Sequence, residues 1–324
     1  MNETAKGGGS AVKKFFSKNI VLIGLIGLCV VLSIASPKFL QVRNIMNILV
    51  QVSLAGCVTI GMTFVIITGG IDLSVGSIYA FAMIIGAQMM MKGGVNWVLA
   101  CIVILIIGAA IGCAEGMLVS RLGMPAFIAS LSFMSIFRGL SLVLTKGKTI
   151  PGLPDGFQTF GQGKLFGIIP YPAIVLIILF LIGAYILNYT GFGRGLYALG
   201  GNRDAARLSG IDTKNVELGA FIISGFTAAM AGILNAARLG TALPTAGEGV
   251  EMNAIGAAVI GGASLAGGAG TMLGSFIGTL MIGVINNAIN LLGVDPLWQE
   301  VVSGVIILAA VLANTIRDLR KRSN

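Results

Sequence analysis

The chain has few charged residues and no histidine. Only 10% of its 324 residues are Asp, Glu, Lys or Arg, against roughly 25% in ordinary soluble domains, and 56% are hydrophobic. This composition argues against a soluble enzyme and indicates a membrane protein. The net charge is +9, but nucleic-acid binding would need basic residues clustered on one face of a soluble module, and the sequence contains no such module.

The sequence contains no pattern that indicates a metal site or a disulfide. Histidine is missing, and the cysteines stand at unrelated spacings inside apolar segments, where they are expected to be small packing residues. The cysteines are Cys29, Cys57, Cys101 and Cys113.

A nucleotide site of the chain's own is also excluded. Gly147, Lys148 and Thr149 look briefly like the end of a phosphate-binding loop, but that loop needs a glycine where this chain has Leu142. If ATP drives the protein, another subunit binds the ATP.

Long apolar runs fill about two thirds of the chain. A spanning helix needs about 20 mostly apolar residues, because backbone polar groups cannot stay unpaired in hydrocarbon. The predicted fold class is therefore an all-α polytopic membrane protein with about ten spans, some of them broken or re-entrant. The predicted spans are 20–36, 45–68, 75–91, 97–119, 125–145, 171–189, 216–237, 252–268, 272–292 and 296–316.

The basic residues predict the orientation. With an inside N-terminus, inner segments hold 13 of the 21 Lys and Arg residues, outer segments hold 7, and the remaining one, Arg138, lies within a span. The positive-inside rule therefore predicts cytoplasmic tails at 1–19 and 317–324 around a membrane domain at 20–316. A cleaved signal peptide ending near Ser33-Ile34-Ala35 is the alternative for the first run, but its length and the nine following spans favour an uncleaved anchor.

Glycines spaced four residues apart predict close helix packing. Gly108, Gly112 and Gly116 share one helix face, as do Gly274 and Gly278, so another backbone can approach these faces. Static packing is the preferred interpretation over a sliding interface.

Two segments between spans differ in character. The outer segment 146–170 carries six glycines and three prolines, which predicts a turn-rich cap with little regular structure. The inner segment 190–215 contains a well-specified short helix at about 203–209, with Asn202 as N-cap, Asp204 in its first turn and Gly210 after its end.

A carboxylate, Asp72, interrupts the apolar chain at GGIDLSVGS. Gly69 and Gly70 can stop one helix while Asp72 or Ser74 caps the next, so the motif predicts a break between helices. Two roles are open for Asp72: structural capping, and contact with substrate or gate. The later GGASLAGG at 261–268 echoes the motif and suggests a second break.

Several other polar residues are expected inside the membrane. Counted along their helices, Gln51, Arg138 and Asn286 all fall roughly 10 Å below the outer ends, so they could line one outward-facing vestibule. An interhelical hydrogen bond is the equally weighted alternative for each. Glu115 lies too deep to pair with Arg138. The complete set of predicted substrate-path residues is Asn47, Gln51, Asp72, Ser74, Arg138, Asn286 and Asn290.

The amides in this set favour a neutral polyol over an amino acid. Asn and Gln side chains both donate and accept hydrogen bonds, as sugar hydroxyls do. Few fixed charges accompany them in the predicted vestibule.

Three long motifs together resemble a known family. The segments 69–77, 193–211 and 244–270 look like those of the membrane permeases of ribose-type ABC sugar importers. The resemblance implies a type II ABC-importer fold in the bacterial cytoplasmic membrane and a permease homodimer. It also implies a sugar-binding protein outside and a cytoplasmic ABC ATPase that carries ATP and Mg. One departure is Ala269, where many relatives have a basic residue.

The same resemblance implies that loop 190–215 carries a coupling helix for the ATPase. The residues assigned to this contact are Gly201, Asn202, Arg203, Asp204, Arg207 and Leu208. Two alternatives remain at this stage. One is an ABC permease for another small solute, such as a furanosyl signalling compound or a branched-chain amino acid. The other is an autonomous secondary transporter, which normally carries more ionisable residues deep in the bilayer.

Overall fold

The computed structural model describes residues 20–295, 298, 299, 301–306, 308, 309, 311 and 312. The predicted tails at 1–19 and 317–324 lie outside the described residues, and so does part of the predicted span 296–316.

Helices dominate the described part of the chain. In chain order they are α1 (Ile20–Ala35), α2 (Val42–Ile67), α3 (Val75–Met91), α4 (Trp97–Ser120), α5 (Ala126–Thr145), α6 (Asp155–Gln162), α7 (Tyr171–Tyr189), α8 (Gly191–Gly201), α9 (Arg203–Leu208), α10 (Thr213–Leu239), α11 (Val250–Ile260) and α12 (Met272–Leu291). Residues 298, 299, 301–306, 308, 309, 311 and 312 are also helical.

Six of the described helices are long and apolar enough to cross a membrane: α2, α4, α5, α7, α10 and α12. Helices α1, α3 and α11 are apolar but shorter. The chain is therefore an all-α polytopic membrane protein, as its composition predicts.

The predicted span at 252–268 is wrong as a continuous helix. Helix α11 ends at Ile260, and turns follow at Gly261 and Gly262, where Gly262 has φ of +94°. At 1.5 Å per residue, eleven helical residues reach only about half-way across the hydrocarbon. Apolar composition conceals such a break, because glycine and alanine are hydrophobic enough to extend the predicted run.

Two helices form the centre of the bundle. Helix α2 is buried at every residue from Gly56 to Ile67, and α10 is buried over most of its length. Helix α5 has few buried residues, namely Ala129, Ser130 and Ser141, so much of its surface faces outward. Apolar side chains on such helices are suited to contact with lipid.

The predicted glycine packing is confirmed. A Cβ atom at Gly112 would overlap the backbone oxygen of Phe221 on α10, and one at Gly278 would overlap that of Ala257 on α11. These two backbones therefore approach closely because glycine is present.

The outer segment 146–170 is more regular than predicted. It contains α6 and the short strands β1 (Ile150–Pro151), β2 (Lys164–Leu165) and β3 (Ile169–Pro170). Strand β1 pairs antiparallel with β4 (Thr241–Ala242), and β2 pairs with β3. Phe157 and Phe160 of α6 lie against the ring of Trp97, with centroid distances of 6.4 and 6.0 Å. These tertiary contacts stabilise order that the local glycine and proline content does not indicate.

Candidate transport pathway and cytoplasmic contact site

The predicted break around Asp72 is present between α2 and α3. Helix α2 ends at Ile67, α3 begins at Val75, and Gly69 adopts φ of +86°. Ser74 occupies the N-cap position, but its side chain makes no capping hydrogen bond. Of the two capping candidates, Asp72 and Ser74, Ser74 therefore does not cap α3 through its side chain.

Asp72 binds the break to the rest of the bundle. Its Oδ1 accepts from the Ser74 amide at 2.8 Å and from the Ser74 hydroxyl at 2.6 Å, and its Oδ2 accepts from the Ser224 hydroxyl of α10 at 2.6 Å. Only 1% of Asp72 and none of Ser74 is exposed. These contacts favour the structural role for Asp72 over direct contact with substrate.

The second predicted break, at 261–268, lies beside the first. The Gly268 amide donates to the Ile67 carbonyl at 2.9 Å. Tyr197 of α8 donates its hydroxyl to the Gly270 carbonyl at 2.8 Å, and burial raises the pKa of this phenol above its usual value. Helix α8 also approaches the first break, since a Cβ atom at Gly200 would overlap the Ile67 carbonyl oxygen, so both breaks contact segment 190–215.

Arg138 forms hydrogen bonds with the backbone of the segment that precedes α11. Its guanidinium donates at 2.8 Å to the carbonyls of Pro244 and Ala246, and at 3.3 Å to that of Gly76. Glu115 instead lies 2.8 Å from the Ser74 hydroxyl, so the predicted lack of a pair between Arg138 and Glu115 is confirmed.

Two carboxylates near Arg138 were missed by the sequence analysis. Arg138, Glu248 and Glu251 line a pocket of about 330 Å³. The signal was available, since both acids stand at the start of an apolar run in PTAGEGVEMN. This pocket is more charged than the predicted vestibule.

A neighbouring pocket of about 590 Å³ contains Asn286. Glu248 and Gly249 line both pockets, so the two adjoin at the start of α11. Asn290 lies outside the set of residues that line this pocket; its Oδ1 accepts from Gln299 at 3.2 Å.

Gln51 and Asn47 occupy a third pocket, of about 720 Å³, together with Arg43, Lys164 and Arg238. The vestibule predicted from Gln51, Arg138 and Asn286 is therefore wrong as a single pocket: these residues line three. Equal depth along different helices does not imply that side chains face the same space.

The short helix predicted in the inner segment is confirmed as α9. The Asn202 side chain accepts from the Ala205 amide at 2.9 Å, Asp204 lies in the first turn, and Gly210 has φ of +82°. Helix α8 was not predicted; Thr190 caps it by accepting from the Gly193 amide at 3.1 Å.

The side chains of α9 divide into two groups. Arg203 forms an ion pair with Glu217 on α10, and Ala206 is buried. Arg207 is exposed, and Leu208 is 89% exposed. Gly201, Asn202 and Asp204 also lie on the exposed surface.

Apolar spans, two breaks between helices and polar pockets at the start of α11 are typical of a membrane transport protein. The family described as "Branched-chain amino acid transport system / permease component" matches residues 44–311. The chain belongs to this family.

Individual relatives match almost the whole chain. The ribose import permease protein of Bacillus subtilis (strain 168) is 48% identical over 90% of this chain and 90% of its own. That of Escherichia coli (strain K12) is 41% identical over 96% and 98%. The D-allose transport system permease protein of E. coli (strain K12) is 41% identical over 86% and 85%. No solved structure matches the chain significantly.

Proposed function

We propose that this chain is the permease subunit of an ATP-driven importer for a monosaccharide, with a ribose-like sugar as the first candidate. The observation that carries the proposal is the similarity over nearly the full length to proteins named as ribose import permeases. A relative named for D-allose supports the wider class of monosaccharides.

In this proposal the chain supplies the path and its partners supply the energy and the sugar. A cytoplasmic ABC ATPase binds ATP and Mg, an extracytoplasmic binding protein delivers the sugar, and two copies of the chain form the pathway. The protein sits in the bacterial cytoplasmic membrane with about ten membrane segments, of which α11 crosses only part of the bilayer, and with both termini inside. The positive-inside distribution of Lys and Arg supports this orientation.

Helix α9 is the proposed docking element for the ATPase. A leucine that is 89% exposed loses favourable burial unless another surface covers it. Arg207 beside it adds a charge for an acidic rim on the partner. Helix α9 follows α8 directly, and α8 contacts the second break through Tyr197. A movement of α9 caused by the ATPase can therefore be transmitted through α8 to this break.

We propose that the substrate-path residues form two groups, which line different pockets. Arg138 and Asn286 belong to adjoining pockets at the start of α11, and we place the sugar there. Asn47 and Gln51 line a more basic pocket beside the outer segment, and we propose that the sugar passes it on entry. Asn290 completes the polar face of α12, while Asp72 and Ser74 hold the first break.

A branched-chain amino acid is the second candidate. The family description names such transport, and Arg138 with Glu248 and Glu251 offers charges of both signs, as a zwitterion requires. The sugar remains preferred because relatives that match most of the chain are named for ribose and D-allose.

Reconstitution tests the proposal. Vesicles that hold the chain with its ATPase, and receive ribose with the binding protein, are expected to accumulate ribose only when ATP is supplied. Leucine replaces ribose in a parallel assay. Uphill transport by the lone chain on a proton or sodium gradient would falsify the proposal, and ATP-driven uptake of leucine without ribose would favour the second candidate.

A further inference from the structure

Two asparagine side chains in the membrane domain have no hydrogen-bond partner within the described part of the chain. Asn253 lies on α11 and Asn286 on α12, and the Oδ1 atom of each is buried without a donor. The neighbouring Asn287 behaves differently. Its amide exchanges two hydrogen bonds with that of Asn44, at 2.9 and 3.0 Å.

An unpaired amide is costly where water is scarce, because desolvation of its polar atoms is not repaid. Asn287 shows the structural solution, in which a second amide satisfies both atoms. Asn253 and Asn286 lack such a partner, so packing between helices does not explain their polarity. Both line the same pocket of about 590 Å³, and the missing partner can come from what that pocket holds.

The pocket has the size and chemistry of a small-molecule site. Its volume falls within the range of about 300 to 1,000 Å³ that ligand pockets occupy. Glu248, Gln299 and Ser303 line it with the two asparagines, which provides donors and acceptors around one space. Its lining contains no Lys or Arg among the described residues, so a ligand carboxylate would find no cation there.

We propose that Asn253 and Asn286 form a contact site for the hydroxyl groups of a neutral monosaccharide as it crosses the membrane. The inference rests on the proposed function and identifies where that function makes its polar contacts. A primary amide both donates and accepts, so two amides on facing helices match hydroxyls that do the same. Because a terminal amide can rotate, either its oxygen or its nitrogen can face the pocket.

A transport assay tests the contact. Asn253→Leu and Asn286→Leu remove the amide at similar side-chain size, while Asn188→Leu makes the same change on an exposed position of α7. In the complex with ATPase and binding protein, each pocket variant is expected to lower ribose uptake by about three- to tenfold, the worth of one hydrogen bond, and Asn188→Leu is expected to change it little. Full uptake in both pocket variants would overturn the site.

Thiol labelling provides a second measurement that does not depend on turnover. After replacement of the native cysteines by alanine, Asn253→Cys, Asn286→Cys and Asn188→Cys are treated with a small water-soluble methanethiosulfonate. Ribose supplied with its binding protein and ATP is expected to slow labelling at 253 and 286 but not at 188. Equal labelling with and without ribose at both pocket positions contradicts the site, even where a leucine variant folds poorly.

The two proposals fail differently. If the wild-type complex takes up ribose while the pocket variants keep full rates and show no protection, only the contact site is wrong. If the wild-type complex takes up leucine and no ribose, the proposed function is wrong and the sugar site with it.

Discussion

Asp72 and Glu115 are joined through one hydroxyl group. The Ser74 Oγ lies 2.6 Å from Asp72 Oδ1 and 2.8 Å from Glu115 Oε2. A hydroxyl has one hydrogen, so it can donate to only one of the two carboxyls. Asp72 also accepts from the Ser74 amide and from Ser224, whereas Glu115 Oε1 has no partner. Both contacts of the Ser74 oxygen are hydrogen bonds when Glu115 is protonated: the Glu115 hydroxyl donates to Ser74 Oγ, and the Ser74 hydroxyl donates to the Asp72 carboxylate.

The first prediction concerns this chain of hydrogen bonds. Glu115→Gln is expected to keep the fold and transport, because an amide NH₂ can donate to the Ser74 hydroxyl as the protonated acid does. Asp72→Asn is expected to destabilise the protein by about 1 to 3 kcal/mol, because the hydrogen bonds from Ser74 and Ser224 are no longer made to a charged carboxylate. Thermal unfolding in detergent, followed by size-exclusion chromatography, compares the two. A loss in Glu115→Gln as large as that in Asp72→Asn would contradict the assignment of the proton.

The second prediction concerns the exposed leucine of α9. Leu208→Asp is expected to weaken binding of the ATPase by at least about tenfold, because burial of a leucine side chain contributes about 1.5 to 3 kcal/mol. The membrane fold is expected to be unchanged, since the side chain is 89% exposed in the lone chain. Co-purification with the ATPase is the measurement. Wild-type association would exclude Leu208 from the interface.

The third prediction separates Arg203 from Arg207. Arg203 pairs with Glu217, whose side chain is 5% exposed and whose Oε2 has no partner, so Arg203→Ala leaves a buried carboxylate unpaired. Because Arg203 is itself half exposed, a modest loss of about 1 to 2 kcal/mol in stability is expected. Glu217→Gln in the same chain is expected to restore most of it. Arg207→Ala serves as the control, and it is expected to leave the unfolding temperature unchanged while it weakens ATPase binding.

A result in which Arg203→Ala unfolds like the wild type but loses the ATPase would place Arg203 in the interface. The original expectation that both arginines contact the ATPase would then hold. The ion pair with Glu217 is the reason for expecting the other outcome.

What could be predicted here depended on local signals. Helix α9 was predictable because Asn202 and Gly210 mark its two ends within nine residues. The break at Gly69 was predictable because a glycine pair precedes a lone carboxylate. The link from Ser74 to Glu115 was not, since 41 residues separate them and only the tertiary fold brings them together. The predicted vestibule failed for the same reason. The sequence gives the depth of each residue along its helix, but only the tertiary fold determines the direction in which each side chain points.

The final prediction tests close packing between α4 and α10. A Cβ atom at Gly112 would overlap the backbone of Phe221 and Ile222, which cannot move without shifting α10. Gly112→Ala is therefore expected to destabilise the protein by about 1 to 3 kcal/mol, as overpacked cores do. Gly27→Ala on α1 is the matched control, because nothing lies within 4 Å of a Cβ at that position. Since alanine is favoured over glycine in a helix by about 1 kcal/mol, the control should unfold at the wild-type temperature or slightly above it.

Equal unfolding temperatures for the two variants would mean that the α4–α10 contact is looser than the structure shows. Transport by Gly112→Ala at the wild-type rate despite lower stability would support static packing, whereas a selective loss of transport would support a sliding interface.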